Sequence, residues 1–241
     1  MSELLEQPLG KIVADNIATC RVMEHHQIDY YCKGGRSLMD AAMEMGIDPN
    51  LLAGALEEAK GGGPYRDAVM DTMPLDELCD YIVERFHVKA NADMHLIGLL
   101  LDRALELQGD ILPEIKGIRD LFALSVAGMG FHQTKEEVTL FPFVKRMIEA
   151  HRDNEMLKAD TNPMGDPPLK MLLHEHDMQD GALRKIASMT NEFTAPAEAG
   201  HIYRACLDLL RAFEVELHLH IHSENNILFP KAIELYGELT V

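Results

Sequence analysis

Two copies of one pattern lie 88 residues apart in this chain. Each copy has a histidine, a glutamate four positions later and then the tripeptide Leu-Phe-Pro at a fixed distance. The pairs are His132 with Glu136 and His220 with Glu224. A histidine and a glutamate with this spacing lie on one face of an α-helix, about one turn apart. The repeat therefore predicts two related pairs of helices, which limits the folds available to the chain.

Both pairs interrupt an apolar stripe instead of lying on the polar face of a helix. The later stripe consists of Cys206, Leu210, Phe213, Leu217, His220, Glu224 and Ile227. The earlier stripe is predicted to consist of Leu121, Leu124, Gly128, His132, Glu136, Leu140 and Phe143. An unpaired carboxylate buried in a helix bundle costs several kcal/mol. We therefore expect a positive group beside each glutamate.

The remaining sequence predicts an all-α fold. Aromatic residues make up only 6% of the chain, and the abundant Leu, Met, Ala and Glu favour helix over sheet. A loop is predicted at 160–168, where proline and glycine are frequent. Four amphipathic helices with short connections are typical of an antiparallel four-helix bundle. The predicted helices span about 75–108, 114–151, 168–192 and 200–237.

A small helical domain is expected before the bundle. Ser37 is predicted to cap one helix that Gly46 ends, and Pro49 is expected to begin the next. The strongest break in the sequence is Gly-Gly-Gly-Pro at 61–64. The predicted boundaries are 1–60 for the small domain, 61–74 for a linker and 75–241 for the bundle.

Histidines on the other two helices complete a candidate metal site. The intervals between His87, His132, His176 and His220 are 45, 44 and 44 residues. In an up-down bundle, such equal spacing brings successive residues to a similar level. Four imidazoles and two carboxylates would then converge, and this donor set suits iron or manganese. Positions left open on the metals would admit small molecules, whereas a structural site is normally closed.

The other polar residues near these positions are expected to have ordinary roles. Asp180 follows His176 by one turn and is expected on the helix surface, with a supporting role beside the metal as the alternative. Surface or boundary positions are expected for His25, His26, His95, His151, His174, His201, His218 and His222.

The net charge of −18 disfavours nucleic acid and anionic lipid as partners. No stretch approaches the roughly 20 apolar residues of a membrane span. The N-terminus lacks the basic and apolar segments of a signal peptide. Four scattered cysteines without a Cys-x-x-Cys pair favour a reducing, cytoplasmic setting.

The paired His-x-x-x-Glu…Leu-Phe-Pro motifs, with one histidine on each remaining helix, resemble the hemerythrin-like di-iron domain. The stretch from Gln7 to Leu38 contains Asp-Tyr-Tyr-Cys-Lys-Gly-Gly at 29–35. It resembles the small domain that precedes such a bundle in the iron–sulfur cluster repair proteins, the repair of iron centres family. Both domains in this order cover nearly the whole chain, and the combination is more specific than either half.

This resemblance implies a cytoplasmic stress-response protein that restores iron–sulfur clusters damaged by nitric oxide or oxidants, with iron supply as the expected route. The implied cofactor is a pair of non-haem iron ions with an oxo or hydroxo bridge, although the ligand set also tolerates manganese. The implied partners are damaged iron–sulfur proteins or a cluster scaffold, O2 or NO as small ligands, and a second copy in a homodimer. The ligand positions carry over to His87, His132, Glu136, His176, His220 and Glu224.

The chain departs from the family where the family has adjacent cysteines. Tyr31 replaces the first cysteine, and Lys33 is inserted before the glycines. A role for a vicinal dithiol is therefore not supported. Cys32 remains the candidate thiol, and it can act alone, act with Cys20, or be structural.

Two other functions stay open at the level of sequence. The first is a hemerythrin-like carrier or sensor of O2 or NO. The second is a di-iron enzyme such as a nitric oxide reductase, so the sequence does not decide whether the chain turns over a substrate. A metal-free helical scaffold is disfavoured, since its buried glutamates would lack partners.

Overall fold

Helices dominate this computed structural model, which describes residues 2–60, 70–157 and 165–240. No strand forms within these ranges, and one isolated β-bridge pairs Pro8 with Ser37. The all-α prediction is confirmed. Residues 61–69 of the predicted linker and 160–164 of the predicted loop lie outside the described residues. None of the described helices is long and apolar enough to cross a bilayer.

The helix bounds agree with the sequence pattern to within a few residues. The N-terminal helices are α1 Ser2–Leu5, α2 Leu9–Asp15, α3 Cys20–His25, α4 Leu38–Met45 and α5 Pro49–Lys60. Short 3₁₀ turns occur at Ile17–Thr19 and Met70–Thr72. The later helices are α6 Leu75–Ile82, α7 Val88–Gln108, α8 Glu114–Lys135, α9 Phe141–Asp153, α10 Asp166–Met189, α11 His201–Ser223 and α12 Phe229–Leu239.

The chain forms two compact units. The first unit comprises residues 1–79, 144–160 and 219–241, and the second comprises 80–143 and 161–218. The limits between the units fall inside continuous helices, such as the one that contains residues 218 and 219. The domain boundaries inferred from the linker composition remain a prediction.

The second unit is the antiparallel four-helix bundle. In it, α8 packs against both α7 and α10. Phe122 of α8 meets Phe213 of α11 edge to face, with ring centroids 6.0 Å apart. Arg85 donates to the carboxylate of Glu216 on α11 at 2.7 and 3.3 Å. These contacts join all four helices through long-range side-chain packing.

The apolar stripe predicted for α8 is partly wrong. Leu124 is 72% exposed, and it lines a surface groove of about 960 Å³ together with Leu121 and Gly128. The buried stripe instead contains Ile115, Ile118, Phe122 and Met129. At about 100° per residue, a position eight residues from His132 is rotated about 80° away from it. Repeated steps of four therefore drift off the buried face.

In the first unit, the N-terminal helices pack against one another and against the turn at Glu224–Leu228. The unit's largest fully buried side chains are Leu9, Ile12, Met23, Tyr30, Leu38, Leu52, Leu56 and Leu78. The predicted caps are confirmed. Ser37 Oγ accepts from the Asp40 N–H at 3.1 Å, and Gly46 ends α4 with φ +68°. The Asp48 carboxylate accepts from the Asn50 N–H at 2.8 Å at the start of α5.

Three π-helical turns interrupt the long helices at Val83–His87, Glu136–Leu140 and Glu224–Leu228. Each begins or ends at a candidate metal ligand. In the last two, a proline is the second residue after the turn. A proline ring clashes with the carbonyl four residues earlier, which opens the helix there. The Leu-Phe-Pro repeat is therefore a sequence signal for these two turns, while the first turn has no such signal.

We expect opposite effects from alanine at two glycines with open space around the added Cβ. Gly46→Ala should lower the free energy of unfolding by about 1 kcal/mol, because L residues are strained at positive φ. Gly54→Ala, inside α5, should raise it by about 0.5–1 kcal/mol through lower chain entropy. Urea unfolding measures both values. Equal effects of one sign would contradict the αL cap.

Candidate metal centre

Within the second unit, one buried carboxylate lies between two imidazoles. Glu136 Oε2 is 3.4 Å from His87 Nε2, and Glu136 Oε1 is 3.2 Å from His132 Nε2. All three side chains are fully buried. Each carboxylate oxygen therefore faces a different histidine, which is the arrangement expected of a carboxylate that bridges two metal ions.

His176 joins the same group. Its Nε2 atom is 2.9 Å from His132 Nε2, in the interior of the bundle. The ligand atoms of His132, Glu136 and His176 all lie within 4.8 Å of one another. Two lone pairs at such a distance repel unless a proton or a cation lies near both. Nitrogen donors about 2.1 Å from one octahedral metal ion are themselves about 3 Å apart, so this spacing fits a shared metal.

The outer nitrogens of two of these histidines donate to further acids. His87 Nδ1 lies 2.7 Å from Glu137 Oε1, and His132 Nδ1 lies 3.0 Å from Glu175 Oε2. Carboxylates only accept, so each Nδ1 carries the proton and each Nε2 presents a lone pair inward. Neither Glu137 nor Glu175 was predicted from the sequence. The signal that could have found them is their position directly beside a candidate ligand, Glu136 or His176.

Glu175 is kept ionised by its neighbours. Desolvation alone would raise its pKa, but hydrogen bonds from Lys135 and His132 outweigh that effect and hold the pKa below its ordinary value. Lys135 pairs directly with this carboxylate. A charged Glu175 favours the protonated Nδ1 of His132, which increases the basicity of the inward Nε2.

The first unit contains the second His-x-x-x-Glu pair. His220 Nε2 lies 2.9 Å from Glu224 Oε1, and both side chains are buried. Glu224 begins its π-helical turn in the same way as Glu136, 88 residues earlier. The duplication seen in the sequence therefore extends to the local backbone.

Three residues expected on the surface or at its boundary are buried. Asp180 lies 3.3 Å from His218 Nε2 and also pairs with Arg184. His222 is fully buried, and desolvation lowers its pKa to about 4 against an opposing effect of Asp71. Every residue from 217 to 224 is buried. His218 and His222 were expected off the buried face, but Leu219 and Ile221 alternate with the histidines, and the helix is buried on all sides here.

Cys32 lies in a tight turn in the first unit. Its thiol forms no disulfide and is half-buried, and its N–H donates to Asp29 Oδ1 at 2.9 Å. Cys20 is fully buried, and desolvation raises its pKa to about 12. A thiol with such a pKa forms little thiolate, which disfavours joint chemistry of Cys20 with Cys32.

The donor set fits non-haem iron. Buried imidazole nitrogens with inward lone pairs and a carboxylate with one histidine at each oxygen are ligands that iron accepts in helix bundles. The histidine–glutamate clusters are thus compatible with a di-iron site.

Comparison with known proteins agrees with this chemistry. Residues 80–232 match the hemerythrin HHE cation binding domain, and residues 5–60 match ScdA_N, a domain of unknown function. A Musicola paradisiaca protein named iron-sulfur cluster repair protein YtfE is 26% identical over 95% of this chain and 96% of its own length. A Yersinia pseudotuberculosis protein of the same name is 25% identical over 94% of this chain and 96% of its own. The predicted resemblance is confirmed, and the chain belongs to the hemerythrin HHE cation-binding family, with an ScdA_N domain before the bundle.

Proposed function

We propose that this chain is a di-iron protein that repairs iron–sulfur clusters damaged by nitrosative or oxidative stress, by supplying iron. The observation that carries the proposal is the buried Glu136 carboxylate, with His87 at one oxygen and His132 at the other. Support also comes from relatives named iron-sulfur cluster repair proteins, which align over almost the whole chain.

The proposed iron ligands come from both copies of the repeat and from the two additional histidines. Glu136 and Glu224 are proposed as the bridging carboxylates, because they occupy equivalent positions in the duplicated pattern. His132 and His176 are assigned to the same iron on the basis of their short Nε2 separation. The full set is His87, His132, Glu136, His176, His220 and Glu224.

The chain's own residues prepare this site for an ion that binds and leaves. Bound iron would supply a redox-active centre with open positions for O2 or NO. Glu137 and Glu175 orient their imidazoles and keep the Nε2 lone pairs available. The net charge of −18 raises the local concentration of cations around the protein.

The proposed setting and partners follow from the same assignment. We place the protein in the cytoplasm, where its four cysteines would stay reduced. Damaged iron–sulfur proteins or a cluster scaffold are the proposed recipients of iron. A bridging oxo or hydroxo group and a homodimer also belong to the proposal.

The first test is the iron content of the purified protein. We expect about two iron ions per chain, together with the near-ultraviolet absorption of an oxo-bridged pair. The double variant His132→Ala, Glu136→Ala should lose both, since it removes a terminal ligand and a bridge. A matched control is Glu106→Ala, which changes an exposed acid that pairs with Arg103 one turn earlier on α7. Wild-type protein that stays free of iron after anaerobic reconstitution would overturn the di-iron assignment.

The outer acids should tune the affinity for iron without abolishing binding. Glu137→Gln and Glu175→Gln should each weaken iron binding about 10–100-fold, because a neutral amide supports the Nδ1–H tautomer less strongly. Competition with a coloured chelator measures the change, and Glu106→Gln serves as the control. An affinity equal to that of the wild type in both variants would show that these acids do not act through the histidines.

A role for the Cys32 thiol is tested separately from iron binding. Cys32→Ser should keep the iron and reduce reactivation of an iron–sulfur enzyme that nitric oxide has damaged, because a hydroxyl does not replace a thiolate. Reactivation is followed with iron-loaded repair protein in excess over the damaged enzyme. Full activity of Cys32→Ser would exclude the thiol and leave the metal site as the sole active group.

A further inference from the structure

Asn225 and Asn226, which follow Glu224, make hydrogen bonds outside the candidate metal site. Asn226 Nδ2 donates to the backbone carbonyls of Tyr30 and Tyr31, at 3.1 Å each. Asn225 Nδ2 donates to the Tyr31 carbonyl at 3.2 Å. All of these residues belong to the first unit. Two amides on the π-helical turn thus hold the backbone immediately before Cys32.

The side chain of Asn226 fits where two glycines leave space. A Cβ atom at Gly10 or at Gly34 would come closer than 3 Å to Asn226 Oδ1. Gly10 N–H also donates to the Gly34 carbonyl at 2.9 Å, which keeps the two glycines together. Gly10 is therefore required by the close approach of this amide, while Gly34 is required by the amide and by the Tyr30 carbonyl oxygen, which would lie 2.6 Å from its Cβ.

The hydrogen-bond partners determine the orientation of the Asn226 amide. Backbone carbonyls only accept, so the NH2 group must face Tyr30 and Tyr31. The same nitrogen lies 3.1 Å from His222 Nδ1, so its two hydrogens are shared among three acceptors. His222 is fully buried and packs edge-on against the Tyr30 ring, with centroids 5.6 Å apart. The amide is thus enclosed between His222 and the turn before Cys32.

The turn that carries Cys32 is also constrained from its other side. Asp29 Oδ1 accepts from the N–H groups of Cys32 and Lys33, at 2.9 and 3.2 Å. These hydrogen bonds come from residues three and four positions after Asp29, and they restrict the local backbone. Movement of residues 29–35 therefore requires that the asparagine contacts break.

We propose that Asn226 is a positioning residue that couples the thiol-bearing turn of residues 29–35 to the π-helical turn of Glu224. Asn226 lies two residues after Glu224, and it contacts the residue directly before Cys32. A displacement of either turn is transmitted to the other through these hydrogen bonds. The coupling goes beyond the proposed function, because it concerns the chain itself and does not depend on which metal the site binds.

The test compares Asn226→Asp with Asn50→Asp in the full-length protein, using hydrogen exchange with mass spectrometry. Asn226→Asp keeps the shape of the side chain, but a carboxylate oxygen replaces the NH2 donor. This oxygen and the carbonyl oxygens of Tyr30 and Tyr31 repel each other. We expect amide exchange in both 29–35 and 224–228 to rise about tenfold or more, from the loss of two buried hydrogen bonds. Asn50 is exposed at the start of α5, so its variant should change neither segment.

A second readout follows Cys32 directly. Alkylation of Cys32 by iodoacetamide should accelerate about tenfold in Asn226→Asp, because the turn opens more often. Gly10→Ala should behave like Asn226→Asp, since the new Cβ would meet only the Asn226 side chain and push its amide out. Faster exchange in 29–35 with unchanged exchange in 224–228 would overturn the coupling, and unchanged exchange in both would show that the contacts do not restrain either turn.

Both readouts are measured before and after iron is removed with a chelator. If the protein binds no iron at all, the exchange experiment still decides whether the turns are coupled. If iron binds, the visible spectrum of Asn226→Asp should shift while the iron count stays constant. The failure of the proposed function and the failure of the coupling thus give different results.

Discussion

A carboxylate buried inside a helix bundle is the constraint on which this structure depends. Glu136 is removed from water, and an ionised group in such a place is strongly disfavoured without positive or donor partners. His87 and His132 lie at its two oxygens, and Glu137 and Glu175 hold the far sides of those rings. A cation within this arrangement would satisfy groups that otherwise oppose burial. The candidate ligands and the acids around them therefore stabilise one another in the buried interior.

The π-helical turns show how the backbone allows these polar side chains to face the interior. Both glutamates of the repeat begin such a turn, and His87 ends another. A wider turn adds one residue to the helix and rotates everything after it, which lets a polar ligand face inward without displacing the apolar stripe that follows. The proline after Leu-Phe supplies a steric reason in two of the three cases. The same turn at Glu224 carries the asparagines that contact the N-terminal segment.

Prediction from the sequence was most successful where the signal is local. Ser37, Gly46 and Pro49 determine helix ends through their own backbone chemistry, and the structure confirms each of them. The predictions were wrong for Leu124, Asp180, His218 and His222, whose environments depend on several helices at once. Leu124 satisfied the spacing rule but lies past the edge of the buried face, at 72% exposure. Asp180 is buried because Arg184 and His218 provide partners there.

The sequence by itself determined the helical class, the helix ends and the histidine–glutamate pattern, because these depend on periodicity and on residues close together in the chain. The tertiary structure decided which acid faces which imidazole, how far His176 lies from His132, and where the amide of Asn226 fits. Those relations join residues that are tens to hundreds of positions apart. Their distances depend on how whole helices pack, and no local pattern encodes that packing.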